Sequence, residues 1–255
     1  MSHDPSSSNS QSSTVVIVLV VLGGLGLVTL VCGGVLVALL LPAVQMARVT
    51  AQQASDANQL RQSALSLVTY EVTHEKLPAA SDLDANGQPM HSWRVAVLPY
   101  LEQQALFDRY DSSQPWNSPA NRQLLSMMPP VYRSPRGTSS VGSTDTSYVA
   151  VTGPGTAFPP GRGPLSIAEI SDGPANTILV IEWPESDIPW MEPKDVDIED
   201  VMEAFADPDG PIARQRGVNA AFADGTVRQI RADIDPQTLR ALLTATGGEA
   251  IMANF

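Results

Sequence analysis

TVVIVLVVLGGLGLVTLVCGGVLVALLL, residues 14–41, is the stretch that decides the architecture: 28 consecutive positions without one charged side chain. About 20 helical residues cross the ~30 Å hydrocarbon core of a bilayer, so this run is long enough to span it with some tilt. A buried soluble helix of that length and purity would be unusual. Gly23, Gly24, Gly26, Gly33 and Gly34 are tolerated better in lipid than in water, and small residues there permit close approach of another helix. A cleaved secretory signal is the rival reading. Its basic leader is missing, since residues 1–13 hold no Lys or Arg, and the run is about twice a usual signal core. An uncleaved anchor fits better.

Outward from the anchor, the charge distribution splits the chain. No charged residue lies between Asp4 and Arg48; all 15 Lys and Arg and 26 of the 27 acids come from Arg48 onward, a net −11. An acidic surface repels phosphate backbones, which argues against nucleic acid as a partner. The single cysteine, Cys32, lies inside the apolar run, so neither a disulfide framework nor a cysteine metal site is available.

Pro42 is expected to end or kink the span. Residues 43–74 then continue without Pro or Gly, and Ala47, Ala51, Ala54, Ala57, Leu60, Ala64 and Leu67 recur at spacings of three and four. This predicts a helical stalk with one narrow apolar stripe, and places Gln52, Gln53, Asp56, Gln59, Arg61 and Gln62 on its other faces. From Leu77 the texture changes to short apolar segments punctuated by Pro, Gly, Ser and Asn, the composition of strands and turns. Residues 92–110 predict a helix broken near Pro99. Residues 147–151 and 177–182 predict strands. In 218–230 two strand-like runs flank Asp224-Gly225, the chemistry of a two-residue type I′ hairpin. Asp235-Pro236 supplies an N-cap and first-turn proline for a helix over 237–243.

The segments LLLPAVQMAR (39–48), SWRVAVLPYLEQ (92–103), PWNSPANRQLL (115–125), MPPVYRSP (128–135), YVAVTGPGTAFP (148–159), ISDGPANTILVIE (170–182), WMEPKDV (190–196) and GVNAAFADGTVR (217–228) together resemble one bacterial family, the domain of unknown function 1559. Members are pseudopilin-like and carry a prepilin-type C-terminal signature. The resemblance covers about 39–245. It implies an α+β, type IV pilin-like fold: a long N-terminal helix, half in the membrane, packed on an antiparallel sheet, with short helices and long loops. It also implies a cytoplasmic N-terminus and an extracytoplasmic domain. Positive-inside counting of Arg48, Arg61 and Lys76 favours the opposite orientation, but that bias is small. Family members begin with a basic stretch and a Gly-Phe-Thr-Leu-type peptidase site, with a Glu just inside the apolar run. Residues 8–20 here have no Phe, Glu, Lys or Arg, so prepilin cleavage and N-methylation do not carry over. Arg214 stands where the signature places a His ten positions before Asp224-Gly225, and Ser134 stands where members often carry Cys.

The expected layout is therefore a disordered polar N-terminus (1–13), a transmembrane helix (14–41), a stalk (42–75) and a globular domain (76–255). Residues 185–209 hold ten carboxylates against Lys194 alone, and Asp195, Asp197 and Asp200 offer oxygen ligands for calcium. EF-hand spacing is absent, and Asp195 or Asp197 before residue 198 also fits a helix cap. His74 and His91 stand alone, without a Ser or Cys nucleophile motif. Trp93, Trp116, Trp183 and Trp190 suit either a glycan-binding face or the core. Gly153-Pro154-Gly155 and Gly161-Arg162-Gly163 read as turns, not phosphate loops. Glu182 and Glu185, flanking Trp183, suggest a hydrolytic carboxylate pair only weakly. No catalytic, cofactor-binding or metal-ligating residue is assigned. The expectation is a non-enzymatic envelope protein of structural or assembly type, its partners the lipid bilayer and other membrane helices or copies of itself. A tethered binding module for a glycan or cation is the alternative.

Overall fold

The computed structural model describes residues 9–136, 142–161 and 163–248; within the first helix, the side chains of 9–15, 18, 25–39, 42 and 43 lie outside that description. The chain divides into two compact units, Met1–Ala51 and Gln52–Phe255.

Helix α1 (Asn9–His74) contributes residues to both units. It begins inside the stretch expected to be disordered, and it continues through Pro42 instead of ending there. One proline removes one i→i−4 bond, and the strong helix formers on both sides (Leu39 to Leu41, then Ala43) carry the helix across it. In the first unit, Val16, Ile17, Leu19, Val20, Val21 and Leu22 are between 58% and 68% exposed. Among the described residues, no helix is long and apolar enough to cross a membrane. The middle of the charge-free run, including Cys32, lies outside the described side chains.

The second unit starts from residues 52–74 of α1. Strands β1 (Ser81–Leu83) and β2 (Pro89–Ser92) form a separate antiparallel pair. The expected helix over 92–110 is three pieces: α2 (Trp93–Ala96), a 3-10 turn Leu98–Leu101 that accommodates Pro99, and α3 (Gln104–Phe107). Glu102, at φ +60°, breaks the path between the last two. Helix α4 (Pro119–Arg122) follows, capped by Ser118.

Next come β3 (Tyr148–Thr152), β4 (Ile178–Glu182), β5 (Val196–Asp197), α5 (Ile198–Ala206), α6 (Pro211–Arg214), β6 (Gly217–Phe222), β7 (Val227–Arg231) and α7 (Pro236–Leu243). The sheet order is β5-β3-β4-β6-β7. Its four longer strands pair antiparallel, but β5 joins β3 parallel, so the sheet is mixed and not wholly antiparallel. The architecture is α+β, with both faces of the sheet covered. On one face Tyr148, Ala150, Leu179, Val180 and Ala221 meet Leu60, Ala64 and Leu67 of α1. On the other, Val149, Val151, Ile178, Ile181, Val218, Ala220 and Phe222 meet Ile198 and Val201 of α5 and Leu239, Leu242 and Leu243 of α7. Two-sided burial explains why β4 reads as an unbroken apolar run rather than an alternation. A register irregularity between Ile178 and Val180 lets Leu179 and Val180 share one face, after which Glu182 returns to the α1 side.

The 222–226 turn is not the expected type I′, which needs positive φ at both central residues. Only Gly225 has it (+80°), and Gly225 N–H donates to Phe222 O while Phe222 N–H donates to Thr226 O. The loop is thus three residues long. Asp224 closes it by accepting from Thr226 N–H at 2.9 Å. Asp235 does cap α7, accepting from Thr238 N–H at 2.8 Å.

At the foot of β6, Gly217 has φ +119°, and a Cβ there would lie 2.2 Å from the Ile230 carbonyl oxygen. Gly87 has φ +78° with open space around it. Gly217→Ala is expected to destabilise the second unit by about 3 kcal/mol or more, through clash plus backbone strain. Gly87→Ala should cost only about 1 kcal/mol. Denaturant melts of the two variants check the ordering; equal losses would contradict it.

Candidate functional site

The chemistry-bearing side chains converge on the face of the sheet that receives α1. Strand pairing sets Tyr148 directly opposite Glu182, and Ile181 opposite Ala220, which brings Asn219 beside Glu182. Tyr148, Glu182 and Asn219 thus form one cross-strand row, and Asp56 of α1 descends onto it. Asp56 is wholly buried, and Glu182 is 1% exposed. The Tyr148 hydroxyl donates to Asp56 Oδ1 at 2.5 Å, and Asn219 Nδ2 donates to Asp56 Oδ2. Asn219 N–H also donates to Glu182 Oε2 at 3.2 Å, so one residue touches both carboxylates. Ser134 Oγ donates to Glu182 Oε1 at 2.9 Å, and Arg136 Nη1 reaches Oε2 at 3.3 Å. Ser134 therefore works as a hydroxyl donor.

Burial, and then the negative charge of Asp56, push the Glu182 carboxyl up to about 7, with Arg136 opposing. The Tyr148 hydroxyl is driven far above its ordinary range, first by burial and then by Asp56. It stays a proton donor across the accessible pH range.

A second buried network adjoins the first through the Tyr148 carbonyl. Arg94, 0% exposed, donates from Nε (3.1 Å) and Nη2 (2.9 Å) to Tyr148 O, and from Nη2 to Asp195 Oδ1 at 2.6 Å. Its Nη1 reaches Ser92 Oγ and Lys194 O. Asp195 Oδ1 also accepts from Ala150 N–H at 2.7 Å and from Trp93 Nε1 at 3.2 Å. Burial raises the Asp195 carboxyl, while Arg94 and these donors pull it down. The geometry has a plain structural sense. Strand β5 is only two residues long and pairs with Val151 and Thr152, so the start of β3, paired with β4 on its inner side, has no strand on its outer side. The Arg94–Asp195 pair supplies the donor and acceptor that a longer β5 would have offered.

The residues singled out in the sequence go elsewhere. Asp195 is committed to Arg94, Asp197 caps α5, and Asp200 completes its capping box, so the three do not converge on an ion. Among the described residues, no group of three or more His, Cys, Asp or Glu side chains is placed to hold a metal. Glu185 is half-exposed and meets Arg214 at 3.4 Å, apart from Glu182, which pairs instead with the Asp56 network. Trp93 and Trp190 are fully buried and pack around Tyr132, while Trp116 and Trp183 are partly buried against the two cores. His74 stacks on Tyr70, and His91 bonds the Tyr110 hydroxyl at 2.8 Å. Thr156 N–H closes a turn on Gly153 O, and Arg162 lies outside the described residues.

Asp56 was expected on a polar face of α1, and it is the principal correction. Its spacing gives the signal that was available: 56, 60, 64 and 67 lie on one stripe, and the buried face begins with the acid. Ala47, Ala51 and Ala54, counted on the stripe, are exposed. Arg94, Tyr148 and Asn219 lie in segments that carry the family resemblance, but nothing in their local sequence, or in that of Arg136, marks them as partners of buried acids.

A family model described as a protein of unknown function, DUF1559, matches residues 45–198. The chain belongs to this family. The matched span of the DUF1559 chain includes Asp56, Arg94, Ser134, Arg136, Tyr148, Glu182 and Asp195; Asn219 lies beyond it. No curated protein and no solved structure matches.

Losing Arg94 would strand a buried carboxylate and the Tyr148 carbonyl together. Arg94→Met should destabilise the second unit by roughly 3–5 kcal/mol. Adding Asp195→Asn, which keeps an oxygen for Ala150 and Trp93, should recover a substantial part of that loss. A double-mutant cycle by thermal or denaturant unfolding checks this. Additive losses would show that the two side chains do not act as a pair.

Proposed function

We propose that this DUF1559 chain is a membrane-anchored, pseudopilin-like protein of the cell envelope with a structural or assembly role. The first half of α1 lies in the bilayer, the N-terminus is cytoplasmic, and the second unit stands outside. The observation that carries this reading is the row Val16, Ile17, Leu19, Val20, Val21 and Leu22, more than half exposed, within 28 residues free of charge. Water does not tolerate so large a bare apolar surface, whereas lipid or other apolar helices cover it. The pilin-like arrangement is supported by α1 laying Leu60, Ala64 and Leu67 against the sheet. A non-enzymatic role is supported by the way the buried acids are spent: each holds a neighbour within the fold.

After cell rupture, the full-length chain is expected to stay with the membrane pellet through alkaline carbonate washing and to need detergent for release. A chain lacking residues 14–41 should appear in the aqueous fraction. Full-length protein that is soluble without detergent would end the anchor reading. Protease added outside intact spheroplasts should cut the second unit, which checks the orientation separately.

A second reading, a tethered module for a glycan or cation, draws on an open recess of about 620 Å³ lined by Trp183, Ser186, Lys194, Asp200, Glu203 and Asp207. Under it, millimolar calcium would raise the melting temperature of the detergent-solubilised chain by several degrees. An unchanged melting temperature counts against the cation form of this reading.

A further inference from the structure

Two carboxylates share the buried row with a single guanidinium. Asp56 faces it from α1, Glu182 from β4, and Arg136 from the loop ahead of β3. Tyr148 faces it from β3 as a proton donor to Asp56, and Asn219 from β6 as a donor to both acids. The Arg94–Asp195 pair behind the Tyr148 carbonyl is internally balanced and supplies no spare positive charge to the row. Arg136 is itself divided, since its Nη2 also reaches Gln215 Oε1 and Gly217 O. With Glu182 ionised beside the Asp56 carboxylate, the row carries one uncompensated negative charge in a largely buried site. With Glu182 protonated, it is neutral.

We propose that the contact between the start of the docked part of α1, around Asp56, and the sheet is a proton-controlled latch, closed while Glu182 is protonated and loosened when it ionises beside the Asp56 carboxylate. The polar contacts that α1 makes through Asp56 all end on this row, so repulsion there acts first on the turn that carries Asp56. Further along, Leu60, Ala64 and Leu67 are held by apolar packing, which pH leaves untouched. The loosening is therefore local. Its pH window follows from the raised Glu182 carboxyl. A folded-state value above the unfolded one means that the closed form is fully favoured below the ordinary carboxylate value near 4.5. It loses that advantage as pH rises toward about 7 and beyond. The direction is opposite to that of a salt-bridged acid.

Hydrogen-exchange mass spectrometry on the full chain in detergent, at about pH 5 and about pH 8 and corrected for intrinsic exchange, tests the latch. Amides around Asp56 are expected to lose roughly tenfold or more in protection at the higher pH, while those of β4 and α7 hold theirs. Glu182→Gln, neutral and of the same shape, should keep high-pH protection at its low-pH level. Asp56→Asn should do the same and serves if the first variant folds poorly. Unchanged protection around Asp56 in the wild type overturns the proposal, as does an equal loss in β4 and α7, or a Glu182→Gln chain that still loosens with pH.

Discussion

Tyr148 is the residue on which the second unit turns. Its hydroxyl supports Asp56 from below, and its carbonyl takes two donors from Arg94, so one strand position ties α1, α2 and the approach to β5 to the sheet. The constraint behind this is the cost of leaving a buried polar group without a partner. Strand β3 enters the sheet before it has a neighbour on its outer side, and α1 arrives carrying a carboxylate. Both debts are met at the same residue.

Buried ions of this kind add little net stability compared with apolar residues of similar volume, because desolvation offsets the attraction. What they contribute is discrimination. Sliding α1 by one turn along the sheet would still bury Leu60, Ala64 or Leu67 somewhere, but it would leave Asp56 without Tyr148 and Asn219. The apolar cores supply the driving force, at about 1.5–3 kcal/mol for each fully buried large side chain such as Leu60 or Leu67. The charged row fixes the register. The domain has no disulfide to help it, since its one cysteine lies far back in α1.

Much of the frame was legible from local chemistry. Strands β3, β4, β6 and β7, the Asp235-Pro236 cap and the long α1 follow from apolar runs, turn residues and caps, which act over a few positions. What failed was whatever depends on partners distant in sequence. The polarity of Asp56 suggested water, yet a tyrosine 92 positions away made the core habitable for it. Glu182 and Glu185 suggest a pair only weakly, but nothing in the sequence shows that the path of β4 sends Glu182 to the α1 face beside Asp56. Pro42 was expected to end or kink the span because it lacks a donor, and the helix continues through it. The turn at Asp224-Gly225 was recognised by composition, but its loop length was set by the Phe222–Thr226 pairing, which composition does not encode.

The ion pair at the start of β3 also governs what the sheet can join. An unfinished strand margin ordinarily invites a foreign strand to zip onto it, the first step toward fibrous misassembly. Here that margin is plugged by a guanidinium and a carboxylate, and an intruder would have to evict both from the protein interior. At the far edge of the sheet, β7 bears Arg228 and Arg231. Strand addition at the β3 margin is thereby discouraged by the fold itself.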